Sequence, residues 1–196
     1  MDSFMPGYAR PADYSRVGLL LTMMLMHCAC GQGTGERRFE IDHVDLKWSN
    51  GRLTAVLQQQ LALSDEAKNA LRHGVPLTFR VQLIVRDTST QTRVTEHQEE
   101  YEIRYLPLSD RFQLTLPGGD EIQTFPRLRH LVAELADLRL TLRTGALPDG
   151  SYEVLTRTRL DRRKMPMSMR FPSLFSSEWK HDSGWSSWPL ELSSQA

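Results

Sequence analysis

The chain has 196 residues, which is long enough for one domain with a proper core, and no second domain is expected. Lysine plus arginine and aspartate plus glutamate number 24 each, so bulk charge does not recruit nucleic acid or anionic lipid, although a local patch is compatible with neutrality. The apolar fraction of 40% with 24% charged residues is typical of a globular protein and argues against long disorder.

An apolar run, VGLLLTMMLMHCACG (17–31), dominates the amino terminus. A helix that crosses a bilayer needs about 20 apolar residues, so this run is short for a span. It matches the apolar stretch of an export signal, with the small residues Ala29 and Gly31 before a candidate cleavage point. We predict that residues 1–31 are an export signal or a short membrane tether. The protein is then exported, and is either periplasmic or attached to the inner membrane facing the periplasm.

Both cysteines of the chain, Cys28 and Cys30, end this run and are candidate lipid attachment sites. His27 interrupts the lipoprotein pattern of each one, because it directly precedes Cys28 and takes the leucine position relative to Cys30. A Cys-x-Cys metal site is not favoured, since no second cluster of ligands follows at zinc-like spacing. Cleavage, lipid attachment and uncleaved retention all stay open, and the folded part needs no disulfide.

The chain then changes to a glycine-bearing polar linker at 32–38 and to alternating apolar and polar residues. The segments 39–48 and 52–63 flank Asn50-Gly51, the strongest short signal for a β-hairpin. After them SDEAKNALRHG (64–74) predicts a short helix that is capped by serine and ended by glycine.

Period-two alternation continues through most of the remaining sequence, with one helical stripe near 125–137. The clearest strand is 75–87, which places Leu77, Phe79, Val81, Leu83 and Val85 on one face. Further strands are predicted at 93–106, 111–116, 138–143 and 151–163, and a tryptophan-rich segment closes the chain.

Short loops between these strands favour antiparallel pairing, and no parallel β-α-β rhythm is visible. We predict a mainly β fold, an antiparallel β-sandwich of about seven or eight strands with two short α-helices. The domain is expected to span 39–191, and a polar tail is expected at 192–196.

Four stretches carry a resemblance to a known family: LSDEAKNALRHGVPLTFRVQLIV (63–85), YLPLSDRFQL (105–114), YEVLTRTRLDRRKMPMSMRF (152–171) and SSEWKHDSGWSSWPLE (176–191). Together they resemble the bacterial family called domain of unknown function 4390, whose members are exported or tethered to a membrane. The resemblance covers nearly all of residues 38–191, and its motifs are structural rather than catalytic. It implies an envelope location and a shared fold, and it supplies no catalytic residue.

In the third of these stretches Arg157, Leu160 and Asp161 fit the family's Arg-x-x-Leu-Asp element. Met165 stands where the family usually has leucine before Pro166.

Candidate catalytic groups are few. HDSGW (181–185) contains His, Asp and Ser, but adjacent residues of an extended chain point apart and do not form a triad. His97 and Glu99 share one strand face, yet two ligands do not complete a metal site. We therefore predict no catalytic residue, no metal ligand and no cofactor.

The remaining candidate is a contact surface made of basic and aromatic residues. Arg157, Arg159 and Arg163 alternate along the predicted strand 151–163, and such a stripe suits phosphates or lipid head groups. Trp179 and Trp185 either seal the end of the sandwich or mark a contact surface. Solvated residues, membrane contact and partner contact all remain open for the arginines.

The leading hypothesis is a non-enzymatic binding or accessory module that offers strand edges to another envelope protein. A second hypothesis is an envelope hydrolase or metal-dependent enzyme that uses His97 or His181. A third is a module that contacts anionic lipid head groups at the inner membrane through Arg157 and Arg159. We expect no nucleic acid partner, and the sequence identifies no small-molecule substrate.

Overall fold

The computed structural model describes residues 39–193, except for the side chains of Pro172 and Leu174. The predicted signal or tether at 1–31, the linker at 32–38 and both cysteines lie outside the described residues. Between 39 and 193 the chain forms nine strands, three α-helices and two 3-10 turns (Arg162–Lys164 and Ser177–Trp179). The strands are β1 (Phe39–Ser49), β2 (Arg52–Leu61), β3 (Leu77–Asp87), β4 (Arg93–Leu106), β5 (Arg111–Thr115), β6 (Ile122–Phe125), β7 (Asp137–Arg143), β8 (Gly150–Leu160) and β9 (Ser186–Leu192), and the helices are α1 (Asp65–Arg72), α2 (Leu128–Ala136) and α3 (Met167–Phe175).

The strands form two antiparallel sheets, one of three strands in the order β1-β2-β7 and one of six in the order β6-β5-β4-β3-β8-β9. Their inner faces share one hydrophobic core, in which the ring of Phe39 from β1 stacks on Phe79 from β3 at 5.7 Å between centroids. The predicted antiparallel β-sandwich is confirmed.

Local sequence chemistry explains the best predicted elements. Asn50 and Gly51 have φ values of 50° and 71°, so they form the two-residue turn that the Asn-Gly pair predicts between β1 and β2. In β3 every second side chain from Leu77 to Val85 is buried, as the alternation predicts. In α1 the hydroxyl of Ser64 accepts a hydrogen bond from the backbone N–H of Ala67, which is the predicted cap.

The elements that differ from prediction have weak local signals. Strands β6 and β9 and helix α3 are additional, and α3 begins after Pro166 with no side-chain cap. The last long strand, β8, ends at Leu160 rather than at 163, because Arg162–Lys164 turn as a 3-10 helix. Strand β9 reaches Leu192, one residue past the predicted end of the domain.

A buried polar link also joins the two sheets. Gln59 of β2 is 5% exposed, and its amide accepts a hydrogen bond from the Thr158 hydroxyl of β8 at 2.7 Å. The same amide donates to the carbonyl of Leu135 in α2 at 2.7 Å. Buried polar groups are costly unless they are paired, so this link favours one relative position of the two sheets and α2.

Candidate functional site

An open pocket of about 820 Å³ lies where β8 ends, between the Arg162–Lys164 turn, α3 and the segment before β9. We call it the arginine pocket. Its lining includes six basic and two acidic side chains, an excess of four formal positive charges on a protein with no net charge. The charged residues are Arg157, Arg159, Arg162, Arg163, Arg170, Lys180, Asp161 and Asp182.

Arg157 projects from β8 and is held in a fixed orientation. Its Nε donates to Asp182 at 2.8 Å, and its Nη2 donates to the other oxygen of the same carboxylate. Its guanidinium also lies 5.6 Å from the centre of the Trp185 ring, a cation–π distance. The hydrogen bond with Asp182 raises the pKa of Arg157. One pocket cation is therefore neutralised and fixed.

Arg159, two residues further along β8, has a different environment. Its neighbour across the sheet is Arg80 of β3, which is itself paired with Glu100 at 2.8 Å and Asp161 at 2.5 Å. Among the described residues Arg159 has no ion pair and no side-chain hydrogen bond, and its Nε is buried. Partial burial, followed by repulsion from Arg157 and Arg80, lowers the pKa of Arg159. Asp161 and Asp182 attract Arg159 only at longer range, so within the described residues its guanidinium has no carboxylate in direct contact.

Arg163 is the third arginine of the predicted stripe, and the structure corrects its position. The strand ends before it, because Asp161 turns inward, pairs with Arg80 and accepts a hydrogen bond from the backbone N–H of Arg163. Arg163 is exposed and still lines the arginine pocket, but from the 3-10 turn.

Two other pocket arginines bind backbone carbonyls. Arg162 donates to the carbonyl of Ser173 at 2.8 Å, and Arg170 donates to that of Met165 at 3.2 Å. These bonds position the guanidinium groups of both arginines and leave their charge without a carboxylate partner among the described residues.

The two tryptophans of the predicted contact surface separate. Trp179 is 2% exposed and packs in the core, as the predicted seal at the end of the sandwich would, and it also lines the arginine pocket. Trp185 is 44% exposed beside Arg157.

The HDSGW segment does not form a triad. Nε2 of the buried His181 accepts the backbone N–H of Ser64 at 2.9 Å, and its ring packs 5.3 Å from Phe39. Asp182 pairs with Arg157, and the Ser183 hydroxyl accepts the backbone N–H of Thr158 at 3.0 Å. Asp182 and Ser183 thus hold this segment against β8, whereas His181 holds it against the residue that caps α1.

The second candidate group, on β4, is a local hydrogen-bonded set. His97 Nε2 lies 2.9 Å from Glu99, whose other oxygen accepts the hydroxyl of Tyr101 at 2.6 Å. Burial, together with this bond to Glu99, raises the pKa of Tyr101. Within residues 39–193 no three His, Cys, Asp or Glu side chains come together as metal ligands would.

Sequence reasoning missed three residues of the site: Asp182 as the partner of Arg157, Arg80 beneath the pocket, and Phe175 at its rim. The position of Arg80 outside the core could have been predicted, because the alternation along β3 places its side chain on the outer face. The pairing of Asp182 with Arg157 joins positions 25 residues apart, and such a pairing has no local signature.

Comparison with known families shows to which family the chain belongs. Residues 36–189 match the family described as Domain of unknown function (DUF4390). The chain belongs to this family. The match includes β8, α3 and the whole arginine pocket, so the pocket lies within the DUF4390 domain and not in an added segment. No curated protein and no solved structure matches the chain.

Two residues of the Arg-x-x-Leu-Asp element have clear structural roles in this DUF4390 protein. Leu160 is 5% exposed and is part of the core, whereas Asp161 is 6% exposed and pairs with Arg80. The third, Arg157, is the pocket cation that Asp182 holds. This element therefore builds one side of the arginine pocket.

Proposed function

We propose that this protein is a non-enzymatic binding module whose arginine pocket takes an oxyanion, such as a phosphate or carboxylate group of its partner. The observation that carries the proposal is Arg159, a partly buried guanidinium that lines the pocket and has no carboxylate in contact within residues 39–193. A guanidinium suits oxyanions because its planar N–H groups match two oxygens at once.

The surroundings of Arg159 favour an anion in two ways. Arg80 and Arg157 are fixed by Asp161 and Asp182, so the cations near Arg159 keep their positions before a ligand arrives. Preorganised groups lose less conformational entropy on binding. Although the pKa of Arg159 is lowered, an arginine starts from so high a value that it stays charged at neutral pH.

The non-enzymatic character rests on the side chains that hydrolase or metal chemistry would need. In the described part of the chain His181, Asp182 and Ser183 bind three different partners, and His97 has one neighbouring carboxylate. These contacts support structural roles for all four residues.

We also propose that the module works on the periplasmic side of the inner membrane. Support comes from the apolar run at 17–31 and from the family resemblance. Among residues 39–193 no helix is long and apolar enough to cross a bilayer. Binding of a protein partner to a strand edge stays a prediction. The edge strands of the two sheets are β1, β6, β7 and β9.

Calorimetric titration of the full chain in nonionic detergent, with inorganic phosphate as the probe, tests the oxyanion function. We expect Arg159→Gln to weaken phosphate binding about tenfold, because a hydrogen bond to a charged group contributes about 1.5 kcal/mol. The matched control is Arg139→Gln, which removes one exposed positive charge from β7 of the other sheet and should leave binding unchanged. Equal affinities for the parent and Arg159→Gln would contradict the proposal.

A further inference from the structure

Helix α3 exposes an unusual amount of apolar surface. Met167, Phe171 and Phe175 are 69%, 68% and 89% exposed, and we call these three residues the apolar ridge. They are spaced by four, so at 3.6 residues per turn they lie within about 80° of one another on one face of the helix. Water-exposed phenylalanines in a continuous row are costly unless they are covered by another surface.

The opposite face of α3 is the one that the protein itself covers. Ser173 is fully buried, and Met169 packs partly against the core. On a helix these two positions lie about 180° from the centre of the apolar ridge. The ridge therefore points away from the sandwich, whereas α1 and α2 bury their apolar residues Leu71, Leu131 and Leu135.

The ridge and the arginine pocket are continuous, because Phe175 belongs to both. Next to it in the pocket, Arg159, Arg163 and Lys180 form no ion pair within the described part of the chain. Trp185, which is 44% exposed, lies beside Arg157, another lining residue of the pocket. Cations beside exposed aromatic rings match the boundary of an anionic bilayer, where phosphates lie above the acyl chains.

The point at which the domain begins gives a second, independent argument. Strand β1 begins at Phe39, whose ring centroid lies 5.3 Å from that of His181, a lining residue of the arginine pocket. The apolar run ends at residue 31, and the seven residues of 32–38 extend at most about 25 Å. A tether retained at 17–31 would keep the pocket end of the domain within that reach of the membrane.

We propose that the arginine pocket and the apolar ridge together dock this protein on an anionic lipid bilayer, with the phosphate of a lipid head group in the pocket and the ridge among the upper acyl chains. This inference rests on the proposed oxyanion function and names its ligand. Helix α3 has nine residues and is about 14 Å long, so it lies in the plane of the interface rather than across it. A protruding ridge suits a fluid acyl layer better than a rigid protein, which would need a matching groove.

Site-specific photo-crosslinking in vesicles tests the docking. The full chain carries p-benzoylphenylalanine in place of Phe175, and it is reconstituted in phosphatidylcholine with or without roughly one third anionic phosphatidylglycerol. The control position is Val94, which is 40% exposed at the opposite end of β4 from Leu106. We expect lipid adducts at position 175, at least fivefold more with the anionic lipid, and few at position 94.

Charge variants in the same experiment test the pocket. Arg159→Gln should lower the adduct yield at position 175 about fivefold, since one basic side chain near an anionic surface contributes about 1 kcal/mol. Arg139→Gln on β7 should leave the yield unchanged. If Arg159→Gln alters the circular dichroism spectrum, and so the fold, Arg163→Gln at an exposed position replaces it in the same measurement of adduct yield.

Absence of lipid adducts at position 175, equal yields at positions 175 and 94, or equal yields in the two lipid mixtures would overturn the docking. So would crosslinking in cells that captures one protein and no lipid at position 175. If phosphate titration still depends on Arg159 in any of these cases, the oxyanion function stands and only the lipid is wrong. If titration does not depend on Arg159, the oxyanion function fails and the docking fails with it.

Discussion

Replacing Asp182 by asparagine is expected to weaken the fold and to strengthen oxyanion binding at the same time. Asp182 accepts two hydrogen bonds from Arg157 and one from the backbone N–H of Gly184 at 2.9 Å. Asparagine keeps one oxygen but turns an amide N–H₂ group toward a guanidinium. The fold therefore loses part of a charge-assisted pair, and the arginine pocket loses one of its two negative charges.

The stability loss follows from the environment of the pair. A hydrogen bond between charged groups contributes about 1.5–3 kcal/mol, and pairs open to solvent contribute less than 1 kcal/mol. The side chains of Arg157 and Asp182 are 25% and 27% exposed, so we expect a loss of about 1–2 kcal/mol. In a domain of this size the melting temperature should fall by about 5 °C.

The gain in binding is electrostatic. A unit charge about 8 Å from a bound anion interacts with it by about 0.5–1 kcal/mol under strong solvent screening. Removing the negative charge of Asp182 should therefore tighten phosphate binding about threefold, with a further gain from the released Arg157.

The stability difference should depend on pH. Burial alone would raise the pKa of Asp182, but the hydrogen bonds from Arg157 and Gly184 and the charges of Arg157 and Arg159 outweigh burial and lower the pKa. A carboxyl with a lowered pKa in the folded state stabilises above its unfolded pKa of about 3.9, and loses that contribution as the pH falls through its folded pKa. Asparagine does not titrate, so the gap between parent and variant should be constant near neutrality and close below about pH 4.

Thermal unfolding followed by circular dichroism at neutral pH and at about pH 3, with phosphate titration at neutral pH, checks all three expectations. Asp120→Asn, at an exposed turn position, is the matched control and should change neither quantity. A stability gap of the same size in acid would refute the electrostatic reasoning and point to a change of shape. Weaker phosphate binding by Asp182→Asn would refute the assignment of the pocket as an anion site.

Two further substitutions test the fold. Gln59→Ala should lower the free energy of unfolding, measured in urea, by about 2–3 kcal/mol, because it leaves buried polar partners in both the other sheet and α2 unpaired. Gln58→Ala, at the exposed neighbour, should change stability little. Equal losses for both would show that the buried link does not stabilise the sandwich. Gly51→Ala should destabilise more than Gly74→Ala, since both glycines have positive φ but a Cβ at Gly51 meets the carbonyl oxygen of Gly145 at 3.2 Å. A smaller loss at Gly51, measured in the same urea assay, would contradict this order.

The sandwich could be predicted from the sequence because its signals are local. The turn at Asn50-Gly51 and the alternation along β3 depend on residues that are close in the chain. Helix α3 lacks such signals, since it starts without a side-chain cap and contains Pro172. The three-residue spacing of Leu128 and Leu131 predicted α2. In α3 the exposed apolar residues face the solvent, so they do not form the core-facing stripe by which a helix is recognised in a sequence.

The arginine pocket could be predicted only in part. Arg157 and Arg159 share one face of β8 as their spacing indicates, but alternation did not reveal where β8 ends. That end depends on Asp161, which pairs with Arg80 from β3, 81 residues earlier in the chain. Which cations are neutralised and which are not is decided by such distant pairs, and it is the unneutralised ones that define the site.

Strand β8 lies between β3 and β9 in the six-stranded sheet and alternates between core and pocket. Its inward residues Val154 and Thr158 are buried, while Arg157 and Arg159 face out. One face of β8 therefore contributes to the core and the other lines the pocket. A substitution in β8 is expected to alter stability as well as binding. In the wall formed by α3, Met169 packs against the core and Ser173 is buried. Substitutions in α3 can therefore change ligand preference while β8, and with it the fold, stays unchanged.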